Sequence, residues 1–401
     1  MSSLAERLGI GSRPKPGNTR PIKVAVKDRK EAPPGDRTVL LIVLLLGLLG
    51  LVMVYSASGI LAGKNHHDST YFLKKQLLWM GLGLALFAVA SRVEVERLRS
   101  WIFPAICLIF ALLIGVLLFG MEINGSRRWL RLGPMTFQPS ELAKLFTVVY
   151  FSHYIAKKGE RLADFSEGLA PALIVIGSEV ALILIEPDLG TTAIIVLIAF
   201  LLLFLGGISL RRLLPVGLAM VPLFLYWILK TPYRRERVMT YLNPWGDPGA
   251  AGFQMIQSYL ALGSGGAVGA GLGEGRQKLF FLPEPHTDFI FAVIGEELGL
   301  VGTLLVLFLF VWLLWKGTRI ALAVEEPFSR MLAMGATLLL TLPAFMNMGV
   351  VTGLLPTKGL PLPFVSYGGS SLLVSWAALG LIFNVSRQTR DLSRSRGKGG
   401  G

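Results

Sequence analysis

Residues 282–300, LPEPHTDFIFAVIGEELGL, place Asp288 at the mouth of an apolar run and two glutamates, Glu296 and Glu297, inside it. A charged side chain at the centre of a bilayer costs roughly 2.5–3.5 kcal/mol on insertion scales, so such groups face a cavity or a partner. The set at membrane depth is short: Glu141, Lys144, Glu179, Glu186, Asp188, Asp288, Glu296 and Glu297. Asp288 follows His286 and Thr287 where the chain enters the membrane. It can act as a base there, or it can cap the helix that follows. Glu296 and Glu297 lie roughly two turns deeper and point about 100° apart. Both are expected to pair with basic side chains. QPSELAKL sets Glu141 and Lys144 at the spacing of a local helical ion pair. EPDLGT reads as a turn in which Asp188 or Thr191 caps the next helix, or as a ligand-binding corner.

The elements that must position these groups follow from composition. Of 401 residues, 53% are hydrophobic and 16% charged, with mean hydropathy +0.61. These values belong to an integral membrane protein. Apolar runs long enough for a core of roughly 30 Å begin near Val39, Tyr71, Trp101, Pro139, Glu167, Thr191, Leu213, Phe289, Met331 and Ser371. The expected fold is all-α, with about ten transmembrane helices over residues 38–388. If the N-terminus is cytoplasmic, the inner segments hold 25 of the 39 Lys and Arg residues. The positive-inside rule then puts both ends in the cytoplasm: a disordered basic tail over 1–37 and a short tail over 389–401.

The net charge of +14 suits anionic lipid head groups at the membrane edge. Nucleic acid is not an expected partner, because no basic stripe carries interleaved aromatics. The single Cys107 excludes a disulfide within the chain, and His66, His67, His153 and His286 have no metal-ligand spacing. No metal site is expected from these residues. Between the seventh and eighth spans lies a long extracytoplasmic loop, 231–287, whose anchors YLNPW, FQMIQSYLAL and LFFLP suit short helices on the membrane or over the bundle. Its GSGGAVGAGLGEG lacks the GK[ST] of a phosphate loop. It reads as a closely packed turn or as a backbone cradle for a phosphate-bearing ligand. A transporter would set its acids near the midplane, whereas an enzyme acting on a lipid-linked substrate would gather its polar groups at one face. Arg127, Arg128, Lys144, Asp188, Arg234, Arg235, Arg237, Asp288 and Lys358 crowd toward the outer face, which favours the enzyme.

NGSRRWLRLG, QPSELAK, EPDLGT, GSGG, HTDFIFAVIGEELG and GLLPTKGLPLPFVSYGGSS occur in that order between about residues 38 and 388. Together they resemble the SEDS family of bacterial shape, elongation, division and sporulation proteins. PTKG before LPLPFVSYGGSS and the long basic N-terminal tail are more similar to the division branch than to the elongation branch. The resemblance implies a peptidoglycan glycosyltransferase polymerising lipid II at the outer face of the bacterial cytoplasmic membrane, at the division septum. A lipid II flippase and an elongation-type polymerase are the alternatives.

On that resemblance Asp288 matches the family's essential aspartate and would be the base for the acceptor 4-hydroxyl. Lys144 would stabilise phosphate or position Asp288. Substrate binding would fall to Arg127, Arg128, Glu141, Asp188, Arg234, His286, Glu297, Lys358, Ser366 and Tyr367. No cofactor is implied beyond a divalent cation, magnesium or manganese, assisting the pyrophosphate. The implied partners are lipid II, undecaprenyl-linked glycan, a class B penicillin-binding protein transpeptidase of the FtsI type, and FtsQ, FtsL and FtsB.

Overall fold

The computed structural model describes residues 36–398 except 124–125, 134, 231, 247, 250–251, 280–281 and 358. The basic segment 1–35 and residues 399–401 lie outside the described residues. Each expected apolar run coincides with a helix, because a chain in lipid must satisfy its backbone hydrogen bonds internally. In order these are α1 (Arg37–His66), α2 (Tyr71–Ala90), a short α3 (Val95–Ser100) and α4 (Ile102–Phe119). There follow α5 (Pro139–Lys158), α6 (Ala170–Ile185), α7 (Leu189–Leu205), α8 (Leu210–Lys230), α9 (Pro232–Leu242), α10 (Phe253–Gly265), α11 (Ile290–Ala323), α12 (Pro327–Val351) and α13 (Gly369–Lys398). Seven described helices are long and apolar enough to cross a membrane, the span of α6 starting at Phe165 and that of α13 ending at Arg387. α7 is apolar but shorter.

The all-α expectation needs one amendment. NGSRRWLRLG and the residues around it form a small antiparallel sheet of β1 (Met121–Ile123), β2 (Ser126–Leu132) and β3 (Met135–Phe137). Glu122 faces Arg127 and Leu130 faces Phe137 in its registers. The long loop behaves as its apolar anchors require: α9 and α10 are the two short helices within it.

α12 is the most buried of these spans and packs against α5, α7, α11 and α13. α2 and α4 stay at the periphery, where Leu78, Leu82, Phe103 and Phe119 are left exposed for lipid. At the end of the bundle holding the start of α1, the Asp36 carboxylate accepts from Lys316 at 3.0 Å and its N–H donates to the Ser386 hydroxyl at 3.3 Å. Arg99 pairs with Glu326 at the same end. Burial raises the Asp36 carboxyl, but hydrogen bonds from Thr38 and Lys316 more than offset this and hold it low.

Helix α11 is not continuous. It breaks at Gly299 (φ 66°, ψ −161°), and the glycine-rich stretch after α10 fills the break. The freed carbonyls of Glu296 and Glu297 accept from Ala270 N at 2.9 Å and Gly271 N at 3.0 Å, while Leu300 N and Val301 N donate to Gly266 O and Ala267 O. The Glu296 carboxylate accepts from the main-chain amides of Arg276 (2.6 Å) and Gln277 (3.1 Å). The Glu297 carboxylate meets Lys278 at 2.7 Å, the Ser56 hydroxyl at 2.7 Å and Gly273 N at 3.1 Å. A basic partner therefore exists for Glu297 as expected. For Glu296 the expectation fails: its compensation comes from backbone N–H groups, which the tight turn aims at it. The stretch is the closely packed turn, and the amides of Ala270, Gly271 and Gly273 are spent on α11 rather than offered to a phosphate.

This packing has no room for a side chain. A Cβ on Gly299 would lie 2.3 Å from Gly269 N, and one on Gly265 would lie 1.9 Å from Gly295 O. Gly299→Ala adds that clash to a positive-φ, extended-ψ backbone that is essentially confined to glycine and costs roughly 1–3 kcal/mol for other residues. We expect its thermal unfolding midpoint in detergent to drop by several degrees, whereas Gly63→Ala, which meets nothing within 4 Å, should leave the midpoint unchanged.

Candidate active site

Asp288 lies just ahead of α11, but it does not cap it. The N-cap is Phe289, with no side-chain capping bond, and among the described residues no hydrogen bond is made to the half-buried Asp288 carboxylate. The backbone beneath it is fastened instead. Tyr367 N donates to His286 O at 2.9 Å, Ser366 Oγ to Thr287 O at 2.6 Å, and Asn347 Nδ2 to Asp288 O at 2.7 Å. Three successive carbonyls are thus held by the loop before α13 and by α12. That loop is itself pinned, since Leu362 N donates to Ser366 Oγ, Gln76 donates to Ser366 O, and Asn347 also donates to Leu360 O. A Cβ on Gly359 would sit 3.1 Å from Asp288 Oδ2, so the loop closes directly over the carboxylate.

Burial pushes the Asp288 carboxyl up to about 6. Arg237 pulls it down, Glu284 and Asp188 push it further up, and Arg128 opposes them. The two cations reach it from different elements. Arg237 belongs to α9. Arg128 projects from β2, its Nε donating to Glu186 O at 3.0 Å and its Nη2 to Pro187 O at 2.7 Å. The sheet thus clamps the EPD turn while holding a guanidinium near Asp288.

Asp188 is the N-cap of α7, as one reading of EPDLGT requires. Its carboxylate accepts from Thr191 N, Thr191 Oγ1 and Gln138 Nε2 at 2.9–3.0 Å. It is buried and saturated, so it contributes field rather than free valence. Glu186 is the converse: it is fully buried and neither carboxylate oxygen has a partner among the described residues. Burial first and Asp188 second push it up to about 8, with Arg128 opposing.

The remaining sequence-predicted residues divide clearly. Lys144 and Glu141 pair at 2.7 Å with both side chains buried. The cations whose charge lowers the Asp288 carboxyl are Arg237 and Arg128, and Lys144 is engaged with Glu141. Arg127 is exposed and leans toward Glu122 at 3.5 Å, whereas Arg128 reaches the carbonyls of Glu186 and Pro187. His286 is buried against Phe72 and Tyr367. Burial drives its imidazole down to about 4, so it is neutral at pH 7 and its 3.8 Å approach to Glu284 is not an ion pair. Ser366 and Tyr367 act through the backbone bonds above. Glu297 belongs to the α11 break and not to the Asp288 chamber. The side chain of Arg234, and Lys358 altogether, lie outside the described residues.

The family model of FtsW, RodA and SpoVE, described as cell cycle proteins, matches residues 36–391. The chain belongs to the FtsW/RodA/SpoVE family. It is 45% identical over 363 residues to a probable peptidoglycan glycosyltransferase FtsW of Geobacter metallireducens, covering 90% of this chain and 97% of that one. With the stage V sporulation protein E of Bacillus subtilis it shares 42% identity over 357 residues, 88% of this chain and 98% of that one. Among solved structures, a chain of a peptidoglycan synthase complex that coordinates polymerization and crosslinking superposes with TM-score 0.73 at 34% identity, covering 88% and 98% of the two chains. The rod shape determining protein RodA of Thermus thermophilus does so with TM-score 0.66 at 30% identity, covering 88% and 97%.

Around Asp288, reading the sequence noted Glu186 and Arg237 for their charge without giving them a role, and did not single out Gln138 or Asn347. A lone Asn in the apolar run around Asn347 was a usable signal, because an amide in a membrane helix needs polar partners. The sequence offered no ground for singling out Arg237 among the arginines of α9, because its effect on Asp288 depends on how that helix is placed. Glu186 supplies a test of the chamber's electrostatics. A carboxyl with a folded value near 8 and an ordinary value of 4.5 contributes stability below about 4.5 that is lost as pH rises through 8. Relative to its difference from wild type at pH 4, Glu186→Gln should gain in thermal stability increasingly between about pH 4.5 and 8, and hold a constant gain above that.

Proposed function

We infer that this chain is a peptidoglycan glycosyltransferase that polymerises lipid II on the outer face of the bacterial cytoplasmic membrane, with Asp288 as the general base. The observation that carries this reading is a carboxyl raised to about 6, fixed by three backbone bonds and flanked by Arg128 and Arg237. Outside the membrane no nucleotide sugars are at hand, so the donor must arrive activated on a lipid diphosphate. The acceptor's 4-hydroxyl oxygen attacks the donor's anomeric carbon while Asp288 takes the hydroxyl proton. The anomeric C–O bond breaks and its electron pair leaves with undecaprenyl diphosphate. Arg128 and Arg237 offer positive charge to the departing phosphates. Asp288 returns its proton to water through its exposed side.

A base needs a pKa close enough to working pH to accept a proton, and partial burial supplies that here. Among the described residues no group of three or more His, Cys, Asp or Glu side chains could hold a metal ion. A magnesium or manganese ion assisting the diphosphate would draw most of its ligands from the substrate's own phosphates and from water, with one or two carboxylates at most from the protein.

The distribution of basic residues supports cytoplasmic termini, and identity to FtsW proteins supports action at the division septum. A related chain's place in a peptidoglycan synthase complex supports pairing with a class B transpeptidase of the FtsI type, and the division reading extends this to FtsQ, FtsL and FtsB.

The test is glycan polymerisation from purified lipid II by the protein with its cognate transpeptidase. Wild type should make polymer and Asp288→Asn none at equal folded amount. Because the active form is the carboxylate, the single-turnover rate should rise with pH through about 6 and level above it. Arg237→Ala should lower that rate by roughly tenfold to a hundredfold, the scale of one charge-stabilising contact. A pH-independent rate between 5 and 8, or full activity in Asp288→Asn, would remove Asp288 as base.

A further inference from the structure

At the end of the bundle opposite Asp288, where α2 gives way to α3, a cavity of about 360 Å³ is lined by Ala88, Val89, Arg92, Val93, Glu94 and Arg97. Its frame is fixed by α13: the side-chain amide of Asn384 donates to Ala90 O at 2.9 Å and Val93 O at 2.5 Å. The elbow is therefore tied to a core helix at two successive points. Two guanidiniums border it. Arg97 pairs with Glu94 at 2.8 Å, with both side chains largely in water. Arg92 is exposed, and its side chain has no hydrogen bond or ion pair among the described residues.

The cavity also has an apolar approach. Leu78, Leu82, Leu86 and Val89 are exposed on α2 at helical spacing, forming a stripe that ends at the cavity wall. From Leu78 to Val89 the helix rises roughly 16 Å at 1.5 Å per residue, about half of a 30 Å bilayer core. That is the depth of one leaflet. An arginine-bordered pocket at the water edge, continuous with an apolar track one leaflet long, has the shape and polarity of a single phospholipid.

We propose that this elbow binds one anionic phospholipid, its phosphate between Arg92 and Arg97 and an acyl chain along the α2 stripe. Charge selects among head groups. Two guanidiniums stand against one carboxylate, so a net negative head group is favoured and a choline would set its cation beside a second arginine. Guanidinium also meets phosphate oxygens in a planar, two-pronged manner. Free phosphate would satisfy the arginines but leave Ala88, Val89 and Val93 uncovered. The site shares no residue with the Asp288 chamber and does not depend on the transferase reading.

Native mass spectrometry of the full chain in detergent, with equal amounts of phosphatidylglycerol and phosphatidylcholine, tests this directly. Wild type should retain phosphatidylglycerol preferentially. The Arg92→Gln, Arg97→Gln double variant should lose that preference by roughly tenfold, given the contribution of each basic side chain at an anionic surface. Arg211→Ala, at another exposed arginine, should keep it. Should the double variant fail to purify as a monodisperse species, Val89→Glu sets an acid at the rim and should also abolish the preference. Equal retention of the two lipids by wild type, an unchanged preference in the variants, or full displacement of phosphatidylglycerol by inorganic phosphate would each overturn the proposal.

Discussion

A carboxylate taken from water must be compensated where it lies, and the architecture is organised around how this is done for each acid. Glu141 receives Lys144. Glu297 receives Lys278 and Ser56. Glu296 receives two main-chain amides, and Asp188 is saturated by a helix terminus and a glutamine. Asp288 and Glu186 stand apart, since neither carboxylate has a hydrogen bond among the described residues; of the two only Asp288 is partly open to solvent. Burial raises the proton affinity of Asp288, and the lack of hydrogen-bond partners leaves its oxygens uncommitted. Reactivity here is the residue of a nearly complete programme of neutralisation.

Such a group is useful only if it does not move. The chain restrains it through the main chain, because fastening the side chain would consume the valence that chemistry requires. His286, Thr287 and Asp288 each give up a carbonyl to a neighbouring element, and the helix below is wedged by the glycine-rich turn at Gly299. The short segment 290–298 is held at both ends. Leu262, Gly295 and the loop near Gly359 approach so closely that few side chains would be tolerated.

What the sequence disclosed follows from what hydropathy and spacing encode. The helices were legible because bilayer thickness sets a length, and the Glu141–Lys144 pair and Asp188 cap were legible because both are local. The sheet carrying Arg127 and Arg128 was not, since SRRWLRL breaks the two-residue alternation at Arg127–Arg128 and at Trp129–Leu130 and so lacks the strand pattern. The partner of Glu296 was also out of reach: amides have no sequence signature, and only the turn's geometry aims them. Which arginine acts on Asp288 depended on the placement of α9, which no nearby apolar pattern fixes. The family motifs drew attention to the region of Asp288, yet resemblance alone could not divide residues that act on Asp288's surroundings, such as Arg128, from those serving the helix break, such as Glu297.

The partners of these acids also have an order in time. Ser56, Gly273, Arg276, Gln277 and Lys278 all precede Glu296 and Glu297 in the chain. During vectorial synthesis the costly glutamates arrive after their compensation has been made, so the break in α11 can close as that helix enters the bilayer. Asn347, Ser366 and Tyr367, which fasten the backbone at Asp288, all come later. The scaffold around the helix can thus be complete while the aspartate above it is still unrestrained, and its backbone is fastened only after the chain through Tyr367 has been made.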